Sequence, residues 1–292
     1  MSKAGVWLLQ KLNRLLPKPV HPFNLQNDGK KSYAEWQYER GGETIRFYLD
    51  FATPEQMFAG KRLLDIGCGA GGKSLYYAGL GAQVTGIDIL PAYEAEARAL
   101  CEKLGYAYGT QFRFQTADAA DLPFADGSFD TIILNDAVEH VAQPEAMLAE
   151  ALRVLRPGGR LYANFPPYHH PFGAHLSDAI GIPWVHLFFS ESTLITAYKQ
   201  LVRDLPDGAE RIAFRISRRP DGSEYFSYIN HMTIRRFRRI LQQMQIRPSY
   251  YREVPLRPYF APLCHLPLIK EMFVKMVVFV VEKEVQPTER PE

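Results

Sequence analysis

The segment from Lys61 to Asp88 constrains the fold of this chain more than any other. An apolar run, a glycine cluster, a helical stretch and a second apolar run ending in an acid follow one another within it. Arg62 to Ile66 reads as a strand, Gly67, Gly69, Gly71 and Gly72 as a tight turn, Lys73 to Leu80 as a helix, and Val84 to Ile87 as a strand closed by Asp88. Glycines without a Cβ let the backbone turn sharply and approach a ligand, and the helix behind them presents N–H groups at its N-terminus. Asp88 lies about 20 residues beyond Gly67, where an acid at a strand tip can accept hydrogen bonds from both hydroxyls of a ribose. The expected ligand is a nucleoside with an unmodified ribose.

Gly67, Gly69 and Gly72 also satisfy the G-x-G-x-x-G spacing of dinucleotide enzymes, so the glycines alone leave a nicotinamide-dependent oxidoreductase open. Asp65, two residues before the first glycine, adds to them. Asp65-Ile66-Gly67-Cys68-Gly69-Ala70-Gly71 resembles motif I of the class I S-adenosylmethionine (SAM) dependent methyltransferases. The resemblance implies that Asp65 holds the amino-acid end of SAM, directly or through water. It also implies that Gly67, Cys68, Gly69, Gly71, Asp88 and Ile89 border the cofactor. Beyond the strand-like Phe112 to Thr116, Asp118 stands where the family hydrogen-bonds the adenine amino group, with the Ala119 backbone alongside. An Asp at a strand end is equally a turn former.

A second match follows. Phe129 to Leu134 is a buried strand by its β-branched and aromatic run, and it ends at Asn135 and Asp136, at the carboxyl edge where open α/β sheets hold ligands. A helix from Pro144 to Leu155, a stop at Arg156-Pro157-Gly158-Gly159 and a strand from Arg160 to Phe165 complete what looks like motifs II and III. The general resemblance is to the branch that includes quinone-biosynthesis methyltransferases. The implied fold is α/β, a doubly wound, seven-stranded, mostly parallel sheet with a terminal antiparallel strand. It spans a SAM-binding core at 33–167 and C-terminal elements at 233–285.

Between them, residues 168–232 form an insert rich in His and aromatics, placed where this fold grows a substrate lid, and read as a lid or as a packing surface. Before the core, residues 1–32 begin with a helical stripe of Val6, Leu8, Leu9, Leu12, Leu15 and Leu16 beside Lys3, Lys11, Arg14 and Lys18, stopped by Pro17 and Pro19. This helix either docks on the protein's own body or lies on a membrane surface through residues 4–16. Pro22 to Lys31 reads as a loop, Tyr33 to Leu49 as a helical segment and 286–292 as a frayed tail.

The 292 residues carry 34 Lys plus Arg against 32 Asp plus Glu, and this near-balance argues against a nucleic-acid partner. Cys68, Cys101 and Cys264 are far apart and lack metal-ligand spacing, which suits a reducing compartment. With no run of 18 apolar residues and no signal-like N-terminus, a cytoplasmic location is expected.

Methyl transfer to oxygen or nitrogen needs a proton acceptor; Asp136, Glu139, His140, His169, His170 and His175 cluster where strands four and five end, and His169, His170 and His140 are the leading candidate bases. Asp136, Glu139 and His140 also recur at i, i+3 and i+4, which on a helix would set three ligands on one face. With His169 or His170 alongside, the set resembles the divalent-ion ligands of small-RNA 3′-end methyltransferases, and less closely a set in ubiquinone O-methyltransferases. Here the first acid is Asp rather than Glu, and no metal is expected. The acceptor implied is a small, fairly apolar molecule, a phenol, quinone precursor or lipid-like compound, methylated on oxygen or carbon. A nicotinamide enzyme and an RNA-modifying methyltransferase are the alternatives.

Overall fold

In the computed structural model, which describes residues 3–17 and 20–285, the apolar runs pair into one central sheet. Strands β1 (Arg62–Ile66), β2 (Gln83–Asp88), β3 (Phe112–Thr116), β4 (Phe129–Asn135) and β5 (Leu155–Phe165) lie parallel to one another. A small antiparallel ribbon follows, β6 (Ile216–Arg218) with β7 (Glu224–Phe226). Then β8 (Tyr250–Pro255) and β9 (Val274–Glu282) complete the main sheet in the order β3-β2-β1-β4-β5-β9-β8, with β9 antiparallel to both its neighbours. The Pro157-Gly158-Gly159 stop lies inside β5 as an irregularity, since Phe129 pairs with Leu155 while Thr131 pairs with Arg160.

The sheet is covered on both sides, which is why its central strands carry almost continuous apolar sequence. On one face Ile132, Leu134, Leu161 and Phe279 meet the helices Pro144–Val154 and Ile234–Gln243. On the other, Leu63, Ile133, Tyr162 and Val278 meet the helix Gly72–Gly79 and the elements before β1. The helix Ile234–Gln243 shows how local chemistry sets an element. Thr233 caps it by accepting from the Arg236 N–H, and Ile234, Phe237, Ile240 and Leu241 recur at helical spacing and are buried.

Two local expectations are corrected. Pro22 to Lys31 contains a short helix, Pro22–Asn27, started by Pro22 and capped by the His21 side chain, which accepts from the Phe23 N–H. The segment from Tyr33 to Leu49 is two short helices, Tyr33–Glu39 under a Ser32/Glu35 capping box and Gly41–Ile45, joined at Arg40.

The insert builds a third core of its own from the helices Glu191–Val202 and Gly208–Arg215 and the turns before them. Its buried charges balance. Arg211 and Arg215 each approach Asp178 at 3.2 Å, Arg211 reaches Asp207 at 2.8 Å, and the Tyr198 hydroxyl donates to Asp178. The N-terminal helix Lys3–Asn13 joins this core through Val6 and Leu9, so the docked reading holds for its inner face. Lys18, Pro19 and the tail at 286–292 lie outside the described residues. Among the described residues no helix is long and apolar enough to cross a membrane.

Candidate active site

Two clefts open where β1, β2 and β4 end, at the carboxyl edge of the sheet. One, of about 440 Å³, is bordered by Asp88, Ile89, Asp118 and Ala119. The other, of about 510 Å³, is bordered by Asp65, Lys73, Asn135, His170 and His175. Tyr33, Gly67, Asp136, His140 and Tyr228 line both, so the clefts meet along that wall.

Gly67 adopts φ 74°, and a Cβ there would stand 2.9 Å from the Ala137 Cβ, so glycine keeps this wall low. At Gly72 a Cβ would fall 1.9 Å from the Ala34 carbonyl oxygen, because the helix Tyr33–Glu39 lies directly on the loop. Gln37 fastens the two, donating to the Cys68 carbonyl and accepting from the Gly72 N–H. This latch was missed in the sequence, where nothing marks one glutamine among the residues before β1.

The loop's N–H groups are largely spent internally, which corrects the expectation of free donors. Gly67 and Cys68 donate to the Ile87 carbonyl, Gly69 to the Asp88 carboxylate, Gly71 to the Cys68 carbonyl and Gly72 to Gln37. A pyrophosphate needs such donors free. The turn therefore suits a nucleoside without phosphates.

Each sequence-derived cofactor residue has a defined place. Asp65 is buried, accepts from the Ser74 hydroxyl at 2.6 Å, and burial pushes its carboxyl up to about 6. An ammonium entering the cleft would restore its charge. SAM affinity is accordingly expected to fall as pH drops below about 6, by roughly tenfold at one unit below, since protonated Asp65 cannot pair with the ammonium. Calorimetric titration across pH 5 to 8 checks this, and Asp65→Asn should flatten the dependence; an equally steep curve in that variant would refute it.

Asp88 accepts from the Gly69 N–H at 2.9 Å through Oδ2 and from the Leu90 N–H at 3.0 Å through Oδ1. Each oxygen keeps a further lone pair for a hydroxyl, and the two N–H groups hold the carboxylate in position. Burial raises its pKa. Asp118 is both turn former and rim, because it accepts from the Ala120 N–H at 2.9 Å and borders the smaller cleft with Ala119. Ile89 is largely exposed beside it. The Cys68 thiol is buried, its pKa raised by desolvation, so it packs rather than attacks. Asn135 borders the larger cleft, but its amide is engaged inward, donating to the Tyr77 hydroxyl at 2.7 Å and accepting from Asn164 at 2.7 Å.

The three histidine candidates separate by their hydrogen bonds. His169 borders neither cleft; its Nδ1 lies 3.3 Å from Glu271, which raises its pKa. His170 borders the larger cleft, yet its Nδ1 accepts from the Phe172 N–H at 3.2 Å, which leaves the proton on Nε2 and no lone pair there. His140 is the reverse. Its Nδ1 lies 2.7 Å from the Tyr228 carbonyl, an acceptor only, so Nδ1 carries the proton and Nε2 keeps its lone pair, 3.8 Å from Glu139, on a residue that lines both clefts.

Residues 136–140 form a bend and a turn rather than a helix, which overturns the common-face spacing proposed for a metal. Asp136 adopts φ 51° and reaches Lys73 at 3.3 Å. Glu139 and His140 instead gather with His175, their ligand atoms within 4.8 Å of one another. His169 and His170 are not in that group. Both Glu139 carboxylate oxygens are buried without a hydrogen-bond partner, and burial together with Asp136 raises its pKa well above the ordinary carboxylate value. Among the described residues, these three form the group that could hold a divalent ion. His175, from the insert, stood in the sequence only among the candidate bases, and its place beside Glu139 follows from the fold.

Residues 64–163 match the family model described as a methyltransferase domain. The strand order, with acids at the tips of β1 and β2, is that of the class I methyltransferase fold, and residues 64–163 are similar to that domain. Over 118 residues it is 38% identical to the ubiquinone biosynthesis O-methyltransferase of Xanthomonas euvesicatoria pv. vesicatoria, covering 40% of this chain and 47% of that protein. It is 38% identical to the chloroplastic tocopherol O-methyltransferase of Arabidopsis thaliana, covering 49% of this chain and 40% of that protein. It is 42% identical to the demethylmenaquinone methyltransferase of Thermus thermophilus, covering 37% and 49%. The chain thus spans about half the length of the curated relatives it matches. Among solved structures, the PH0226 protein of Pyrococcus horikoshii OT3 is similar with a TM-score of 0.51 at 18% identity, over 85% of this chain and 91% of that one. The cyclase SpnF is similar with 0.52 at 18%, over 88% and 85%, so the fold alone leaves the reaction open.

Proposed function

We propose that this protein transfers the methyl group of SAM to a small, fairly apolar acceptor, a phenol, quinone precursor or lipid-like compound, at oxygen or carbon. The observation that carries the reading is the pair of clefts meeting at Gly67, Asp136, His140 and Tyr228. One holds a ribose-type acid and the other is walled by aromatics and histidines. When bound, SAM supplies a methyl group on a sulfonium, transferred by in-line displacement.

The protein's part is alignment, exclusion of water and removal of a proton. Asp88 takes the ribose hydroxyls and Asp65 the ammonium, while Asp118 and Ala119 flank the adenine. His140 receives the proton of an acceptor hydroxyl at Nε2, and the carbonyl of Tyr228 holds the ring in the required tautomer. The insert acts as the lid, contributing His170, Phe172, His175, Phe214 and Tyr228 to the clefts.

Titration calorimetry tests the reading against a nicotinamide enzyme. SAM and S-adenosylhomocysteine are expected to bind and NAD not to; NAD binding alone would end it. The engaged loop N–H groups and the acid Asp65 support this outcome. An RNA acceptor would give a strongly salt-dependent RNA affinity, which the near-neutral charge disfavours.

A divalent ion on Glu139, His140 and His175 would occupy the Nε2 lone pair that His140 needs as a base, so the two roles compete for one atom. Activity is expected to survive excess chelator. Loss restored by magnesium, manganese or zinc would assign the three residues as ligands and favour an acceptor with adjacent hydroxyls.

A further inference from the structure

The helix Lys3–Asn13 carries two apolar faces, and the protein covers only one. Val6 and Leu9 are buried in the insert's core, and Asn13 pins the helix end by donating to the Ala179 carbonyl and accepting from the Gly181 N–H, both at 2.8 Å. On the opposite side Trp7, Leu8 and Leu12 stay exposed, Trp7 at 60%, and the chain beyond adds Leu15 at 81% and Val20 at 76%. A surface helix ordinarily turns polar residues outward. Here the outward residues of the helix are large and apolar, although its inner face is docked through Val6, Leu9 and Asn13.

The charges that this segment itself carries are of one sign. Before Asp28 the sequence holds Lys3, Lys11, Arg14 and Lys18, the last outside the described residues, and no acid. The Lys11 ammonium lies 5.8 Å over the Trp7 ring, beside the apolar residues. Trp with leucines on one face and cations among them is the composition of a helix lying in a lipid interface. The ridge is also continuous with the larger cleft, because Val20 and the half-exposed Phe172 line its mouth.

We propose that this ridge docks on a bilayer containing anionic lipids and sets the mouth of the larger cleft against it, so that an apolar acceptor enters from the membrane. The docking stands by itself, whereas acceptor entry rests on the methyltransferase reading. Apolar side chains supply insertion, and the cations are drawn by the negative surface potential, each worth about fivefold in affinity.

Co-sedimentation of the full chain with vesicles, without cofactor, tests the docking. Binding to phosphatidylcholine vesicles containing phosphatidylglycerol is expected, weaker for phosphatidylcholine alone and weaker at high salt. Leu8→Glu with Leu15→Glu should abolish it, and Lys11→Ala should weaken it about fivefold. Calorimetry with SAM, expected unchanged in these variants, shows that the site remains folded and separates a failure of docking from a failure of the cofactor reading. No sedimentation of the unaltered protein, or equal sedimentation of the double variant, would overturn the proposal. So would a dimer in analytical ultracentrifugation that the double variant dissociates, with no vesicle binding, since the ridge would then be a contact between two copies.

Discussion

Replacing His140 by glutamine is expected to lower kcat for an oxygen acceptor by about a hundredfold or more, within the range that a positioned general base supplies, while SAM affinity holds. The expectation follows from hydrogen-bond inventory. The Tyr228 carbonyl can only accept, so the His140 proton is fixed on Nδ1 and Nε2 keeps its lone pair, 3.8 Å from a Glu139 carboxylate oxygen, on a residue that lines both clefts. Glutamine retains a donor for Tyr228 and a polar side chain of comparable reach, but it has no basic nitrogen. His170→Gln provides the contrast. Burial lowers the pKa of both histidines, but the His170 Nδ1 is occupied by the Phe172 N–H and its Nε2 carries the proton, so a smaller loss is expected there. Steady-state kinetics with a phenolic acceptor decides between them. An unchanged kcat in His140→Gln would remove His140 from the chemistry.

Replacing Asp88 by alanine is expected to weaken SAM by about 1 to 3 kcal/mol, roughly five- to 150-fold. The carboxylate accepts from the Gly69 and Leu90 N–H groups and has capacity left for two hydroxyls, so alanine strands donors on both sides. Part of the loss comes through the protein, since the Gly69 N–H helps keep the loop closed. Asp88→Asn, which retains one acceptor oxygen, should fall between the two. Titration calorimetry measures the series, and an alanine variant that binds SAM as tightly as the unaltered protein would refute the ribose assignment.

The wall between the clefts joins residues far apart in the sequence: Tyr33 before the core, Gly67 after β1, Asp136 and His140 after β4, and Tyr228 at the end of the insert. Similarity to the methyltransferase domain covers residues 64–163, the glycine turn and the parallel strands, whereas the cyclase SpnF has a similar fold. The insert and the N-terminal segment lie outside that match.

Local sequence determined the strands, the glycine turn and the acids at the strand tips, because each depends on short-range rules. Buried parallel strands need unbroken apolar runs, a left-handed turn needs glycine, and a strand ending in an acid presents it at the carboxyl edge. Only the tertiary structure decided which histidine keeps a free lone pair, that 136–140 is a turn rather than a helix, and that His175 rather than His169 or His170 stands beside Glu139. Those outcomes depend on a carbonyl 88 positions away from His140 and on how the insert folds back over the sheet. Spacing along the chain carries no information about such partners, since a hydrogen bond is set by distance and direction in space.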